Sequence, residues 1–115
     1  MTRDVVVVTT SYGRTIAIDP NTGTLLWVFT PPGYASWAGS AQITTASPIV
    51  DPDHLYVYAA SPNGLIHKLS LSSGREDTDG SWPVSITRNP VREKLGSALN
   101  IDGPDVIATT SRLLR

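Results

Sequence analysis

The sequence predicts an all-β chain, a partial β-propeller of four-stranded antiparallel blades with a repeat of about 50 residues, on three observations. Its turns recur with one period, strand-length apolar runs lie between them, and its composition favours turns. Gly13 and Gly64, Gly23 and Gly74, and Asp51 and Asp102 are each 51 positions apart. At that offset Gly13-Arg14-Thr15-Ile16-Ala17-Ile18-Asp19 lies over Gly64-Leu65-Ile66-His67-Lys68-Leu69-Ser70, and Leu55-Tyr56-Val57 lies over Val106-Ile107-Ala108. With one gap, Asp4-Val5 and Thr9-Thr10-Ser11 recur as Asp105-Val106 and Thr109-Thr110-Ser111. A repeat near 50 residues carrying about four strands is the signature of a propeller blade or a kelch-like variant of one. Nine Gly and nine Pro, with 40% hydrophobic and 17% charged residues, describe a turn-rich globular β protein and not a disordered or coiled-coil chain.

The elements follow in order. Residues 4 to 10 form a continuous β-branched run that predicts a buried strand, ended by a turn at Ser11-Tyr12-Gly13. Thr15, Ala17 and Asp19 then alternate with Ile16 and Ile18, the period of a strand with one buried face, and Leu25 to Phe29 resume an extended pattern. Between them Asp19 can accept a hydrogen bond from an N–H two or three residues on, Pro20 presets φ, and Gly23 supplies the positive φ that closes the hairpin. Trp27, just past the turn, brings a large apolar area and one N–H that needs a buried partner, usually a neighbouring carbonyl. Thr30-Pro31-Pro32-Gly33 breaks the pattern, and a long loop with Tyr34, Trp37 and Gly39 runs to about Gln42. Strands are predicted at Ile43 to Val50 (with Pro48 at an edge or bulge), Leu55 to Ala60, Leu65 to Leu71 and Ser81 to Thr87, joined by turns at Asp51-Pro52-Asp53 and Ser61-Pro62-Asn63-Gly64. Asn89-Pro90 reads locally as a helix start, whereas the repeat predicts a loop entering a strand from Gly96 to Ile101; the repeat is followed.

The spacing Ala17-x-Asp19-x-x-x-Gly23-x-x-x-Trp27 resembles the tryptophan-docking motif of quinoprotein-type β-propellers, the pyrroloquinoline quinone (PQQ) repeat family. In that family the Trp locks one blade against the next, so the resemblance assigns Ala17, Asp19, Gly23 and Trp27 to blade docking. Thr24 stands where the family often has Lys. A second, degraded copy has Lys68 for Ala17, Ser70 for Asp19 and Gly74 for Gly23. Trp82 lies 55 positions after Trp27, so about four residues are inserted after Gly74, within Arg75-Glu76-Asp77-Thr78-Asp79, and Trp82 is expected to repeat the docking role.

This frame divides the chain into the last three strands of a first blade plus a loop (1–37), a complete second blade (38–88) and the first two strands of a third (89–115). Closure of a propeller takes roughly four to eight blades, so a fragment of a longer propeller is expected, with open edges that favour association. The tail Arg112-Leu113-Leu114-Arg115 departs from the turn expected there.

Few chemistries survive the composition. A net charge of −1 lacks the basic surplus of a nucleic-acid binder or an anionic-membrane binder. The chain has no Cys, which excludes disulfides, thiolate metal sites and a Cys nucleophile. Neither a signal peptide nor an apolar run near the roughly 20 residues of a membrane span is encoded. No nucleophile elbow, dinucleotide loop, phosphate loop or zinc helix motif is present. His54 and His67 lack a ligand partner at metal spacing and are expected to face solvent or pack. Asp77-Thr78-Asp79-Gly80 has the style of a calcium loop, but Arg75 takes the place of the first acid, and a solvated turn is the alternative; the same reading applies to Asp51 and Asp53, which flank Pro52 in another turn. Arg88, Arg92 and Lys94, tempered by Glu93, form the basic cluster, either an anion contact or a charged loop.

The resemblance implies blade architecture and no single activity. The expected role is a non-catalytic scaffold or protein-interaction segment, similar to the bacterial outer-membrane assembly lipoprotein of this superfamily. The alternatives are a piece of a PQQ-dependent alcohol or sugar dehydrogenase and a truncated reading frame with no role of its own. In the dehydrogenases the quinone and a calcium ion sit on the propeller axis beside an adjacent Cys pair and an Asp base. Neither the Cys pair nor matching acidic residues are found here, so PQQ and calcium would belong to a longer parent. Expected partners are neighbouring blades, a further copy through open edges, or other proteins; a periplasmic or cell-surface location is a family expectation only.

Overall fold

The computed structural model describes residues 4–86, 93–94, 99–102, 105–107 and 111–112. Three strands, β1 (Val6–Thr9), β2 (Thr15–Ile18) and β3 (Leu25–Phe29), form an antiparallel sheet in the order β1-β2-β3. A one-turn helix, α1 (Tyr34–Trp37), leads to a four-stranded antiparallel sheet of β4 (Ile49–Val50), β5 (Tyr56–Ala60), β6 (Leu65–Ser70) and β7 (Val84–Ser85) in sequence order. Beyond it β8 (Glu93–Lys94) pairs with β11 (Ser111–Arg112), and β9 (Asn100–Asp102) with β10 (Asp105–Ile107). Meanders of consecutive antiparallel strands are what short connections and turn-forming residues at each strand end produce.

The repeat is visible in the hydrogen bonds. Thr10 N donates to the Arg14 carbonyl and Gly13 N to the Thr10 carbonyl; 51 positions on, Ser61 N donates to Leu65 and Gly64 N to Ser61. The second turn repeats likewise: Asp19 N to Thr24 and Gly23 N to Asp19, then Ser70 N to Arg75 and Gly74 N to Ser70. The rung Ile18–Leu25 recurs as Leu69–Glu76. The inserted residues therefore fall after Glu76, which narrows their place to the stretch before Trp82.

The two sheets stack face to face. Ala17 and Trp27 from the first meet Val57 and Leu69 from the second, with Val5, Val7, Phe29, Val50 and Leu71 around them. The far face of the second sheet builds another core from Ala60 and Ile66, which meet Ala46 and Leu99, with Tyr58, Trp82 and Ile86 against them. Alternation in β5 and β6 sends consecutive side chains into these two cores, so the second sheet is covered on both faces.

The expected strands change in several respects, and the structure also settles which side of β2 is buried. The run from residue 4 to 10 is not buried on both faces: Val6 and Val8 are 43% and 41% exposed, because nothing among the described residues covers that side of the first sheet. In β2 the buried side is the small one, Thr15 and Ala17, while Ile16 and Ile18 are half-buried, since small side chains let the second sheet approach. The strand expected over Ile43 to Val50 shrinks to Ile49–Val50. Pro48 has no N–H for a ladder, and the segment before it binds its neighbours instead: Thr44 N donates to Ser11, the Ala46 carbonyl accepts from the Thr9 hydroxyl, and the Ser47 carbonyl accepts from Leu99 N. The expected strand from Ser81 to Thr87 is represented by Val84–Ser85, with Thr87 outside the described residues. Residues 89 and 90, where the helix and loop readings compete, and the terminal 113–115 are also outside them.

Candidate functional site

The seam between the two sheets is where the chain concentrates its specific side chains. Asp19 Oδ1 accepts from Asn21 N at 2.9 Å and Gly23 has φ +73°, so the hairpin turn closes on itself and delivers Trp27 to the register position opposite Ala17. A bulge between Ala17 and Ile18 sets the strand just before it. Trp27 then crosses the seam. Its Nε1 donates to the Leu71 carbonyl at 2.9 Å, and its ring lies on Gly74, where an added Cβ would sit 2.9 Å from Cγ and closer still to the fused-ring carbons. One indole thus satisfies a turn carbonyl of the next sheet and fills the space a side chain at Gly74 would need.

A similar fit holds the other end. A Cβ at Gly13, whose φ is +93°, would lie 2.8 Å from Pro62 Cδ and 3.1 Å from Ser61 Cα. Gly13→Ala is expected to cost about 1–3 kcal/mol more than Gly39→Ala, because both are at positive φ but only Gly13 faces packed atoms. Chemical denaturation of the two variants measures the difference.

The same seam also holds a polar line. His67, buried, places Nε2 2.8 Å from Ser61 Oγ and Nδ1 against Oε2 of Glu76, while Phe29 of the first sheet packs on the ring at 5.1 Å. Ser, His and a carboxylate in a row invite comparison with an acyl-transfer triad. The geometry denies that chemistry: Ser61 is 1% exposed, its hydroxyl donates to Asn63 Oδ1, and Gly13 closes over it. The line is a packing device. Of the two roles expected for His67, packing or facing solvent, the ring takes the first; its partners Ser61 and Glu76 carry no local signal of their own. The signal lies in the repeat, since His67 stands where the first sheet has Ile16, and Glu76 where it has Leu25.

The remaining candidates separate. Trp82 is half-buried on the far face of its own sheet, stacked on Tyr58 at 5.2 Å, in the core that includes Leu99. Burial, the largest influence, pushes the Tyr58 phenol above its ordinary value of 10.0, partly opposed by Lys68. The folded chain therefore disfavours phenolate more than the unfolded chain does. Stability is complete below pH about 10 and falls as pH rises through and above it. Alkaline unfolding followed by circular dichroism is expected to be shallower in Tyr58→Phe.

Asp77 is 3.5 Å from the Lys68 ammonium and caps Asp79 N, and Asp51 accepts from Leu55 N, so both acids shape turns. His54 is exposed in a left-handed turn. Among the described residues no three His, Cys, Asp or Glu gather as a metal site. The side chains of Arg88, Arg92 and Lys94 lie outside the described residues. The long loop does carry contacts: buried Trp37 donates to the Tyr12 carbonyl at 2.8 Å, and Arg14 lies 4.5 Å over the Tyr34 ring.

Stacked antiparallel meanders locked by an indole define consecutive blades of a β-propeller. Solved structures place the fold more narrowly. The chain is similar to BamB from Moraxella catarrhalis, with a TM-score of 0.68 and 18% identity over 96% of this chain and 29% of that one. It is also similar to the quinohemoprotein alcohol dehydrogenase from Comamonas testosteroni, with a TM-score of 0.70 and 15% identity over 97% of this chain and 16% of that one. The fold is the β-propeller fold shared with these two structures, and the chain spans less than a third of either protein. No protein-family model and no curated protein sequence matches it.

Proposed function

We propose that the chain acts as a non-catalytic scaffold or protein-interaction segment of a PQQ-like propeller. The observation that carries this reading is that the polar and aromatic groups of the seam are spent on joining sheets: Trp27 on Leu71 and Gly74, and His67 enclosed between Ser61, Glu76 and Phe29. The likeness to BamB supports it.

The dehydrogenase reading has the second structural likeness in its favour. The residues present do not fit a quinone and its calcium ion: the chain has no Cys, and in the stretch nearest a calcium-loop pattern the Asp77 carboxylate is held by Lys68 and by Asp79 N of its own turn. A bacterial periplasmic or surface setting belongs to this proposal as well. The test is thermal unfolding with PQQ and calcium. A ligand at 100 times its Kd adds about 2.7 kcal/mol, which in a chain of this size raises Tm by about 8 °C or more. No shift is expected, and a shift of that size would replace the scaffold reading with the cofactor-binding one.

A further inference from the structure

We infer that the end of the two sheets carrying Arg14, Tyr34 and Trp37 is a recognition surface for an acidic segment of a partner protein, whose carboxylate pairs with the Arg14 guanidinium. The inference rests on the protein-interaction reading above and names the chemistry of the partner.

The charges of the two sheets are sorted by end. Antiparallel strands bring the chain to one end at Asp4, at the turn after Asp19, at the turn from Asp51 to Leu55 and in the stretch after Ser70. The acids of residues 4–86 gather on that side: Asp4, Asp19, Asp51, Asp53 and those of 76–79. The opposite end collects the turn at 10–14, the loop around α1 and the turn at 61–64. Across residues 5–18, 20–50 and 55–66, Arg14 is the only charged residue. A surface with a cation and no carboxylate complements an anion, and one cation is too few for a nucleic-acid backbone.

The platform under Arg14 is pinned to both sheets. The Tyr12 hydroxyl donates to the Ser40 carbonyl at 2.9 Å and Gln42 Nε2 to the Pro62 carbonyl at 3.1 Å, beside the bond from Trp37 to Tyr12. Tyr34 stands edge-on to Tyr12 and to Trp37, with centroids 6.4 Å away in each case. Exposed Arg14 lies on the Tyr34 ring. The chain contains a second stacked cation for comparison: Lys68 lies 4.2 Å over the Tyr56 ring and is paired with Asp77 at 3.5 Å. Arg14 repeats the stack without the acid, since the ion pairs among the described residues are His67–Glu76 and Lys68–Asp77.

A guanidinium on a ring face keeps its in-plane N–H donors for a planar acceptor, and its order beforehand lowers the entropy lost on pairing. One exposed ion pair contributes little alone, so the occupant is a chain segment whose residues beside the carboxylate cover the rings. Pro32, Ala35 and Ala38 around them are exposed, small and uncharged, which lets a backbone approach. Arg, Tyr and Trp are also the residue types that dominate binding energy at protein interfaces.

The test uses two octapeptides, acetylated and amidated, one alternating Glu with Pro and the other Gln with Pro, titrated into the intact ¹⁵N-labelled chain. The Glu peptide is expected to shift the Trp37 indole and Arg14 Nε–H signals and to leave the Trp27 indole in place. Arg14→Gln should weaken binding about tenfold or more, the loss of a charge-assisted hydrogen bond. Arg75→Gln, also exposed but at the acidic end, should leave binding unchanged. Tyr34→Phe should bind like the parent and Tyr34→Leu more weakly, because only the first keeps a ring under the guanidinium. No binding of the Glu peptide, equal affinity for both peptides, or equal effects of the two arginine variants would overturn the inference. Self-association that occurs without peptide and vanishes in Arg14→Gln would assign the surface to a second copy, and would overturn it as well. None of these results bears on the quinone titration, which decides the scaffold reading separately.

Discussion

Trp27→Ala is expected to lower the unfolding free energy by about 3–5 kcal/mol, the range for removing a buried aromatic side chain. The indole is 8% exposed and ties two sheets, so its loss opens a cavity at the seam and frees the Leu71 carbonyl at once. For a chain whose whole stability is of order 5–15 kcal/mol, that is enough to leave a large unfolded fraction near body temperature. Trp27→Phe separates the two contributions. It keeps much of the apolar contact but not the N–H, and is expected to cost about 1–3 kcal/mol through the unpaired carbonyl. Urea titration of the three proteins by circular dichroism gives both numbers, and equal losses for Phe and Ala would assign the whole effect to the hydrogen bond.

The second large effect is expected at Glu76. Glu76→Ala leaves His67 Nδ1 buried without its partner and should cost about 1–3 kcal/mol, the penalty for an unsatisfied buried polar group. The paired replacement behaves differently. His67→Ile with Glu76→Leu installs the residues that the first sheet carries at the same two positions, Ile16 and Leu25, and burying apolar groups removes the cost of burying polar ones. The double variant is therefore expected within about 1 kcal/mol of the parent, or above it. A double-mutant cycle tests this through its coupling energy: a double variant as unstable as the sum of the singles would mean that the polar line is worth more than its packing.

Much of this architecture is legible in the sequence, because the turns dictate it. Positive φ at Gly23, the Asp19 side chain on Asn21 N, and an indole seeking a carbonyl are local consequences of residue type, and the 51-residue offset then carries them to Gly74 and Leu71. Local signals fail where the partner is distant in sequence. Alternation from Thr15 to Asp19 predicts one buried face, but which side of β2 it is depends on where the second sheet lies, and it lies against Thr15 and Ala17. The segment before Pro48 looks like a strand, yet its donors and acceptors are taken by Ser11, Thr9 and Leu99 across the two seams. The polar line is hidden for a related reason. His67 and Glu76 are unremarkable singly, and only their place opposite apolar residues of the first repeat marks them as a substituted core pair.

Hydrogen exchange at the Trp27 indole, followed by ¹⁵N NMR of the intact chain, tests the central claim that this side chain locks consecutive blades. The bond to the Leu71 carbonyl predicts an Nε1–H that exchanges only with global opening, about a thousand-fold or more slower than a free indole. Exchange at the rate of a free indole in the folded protein would mean that Trp27 does not cross the seam, and the docked-blade account would fail with it.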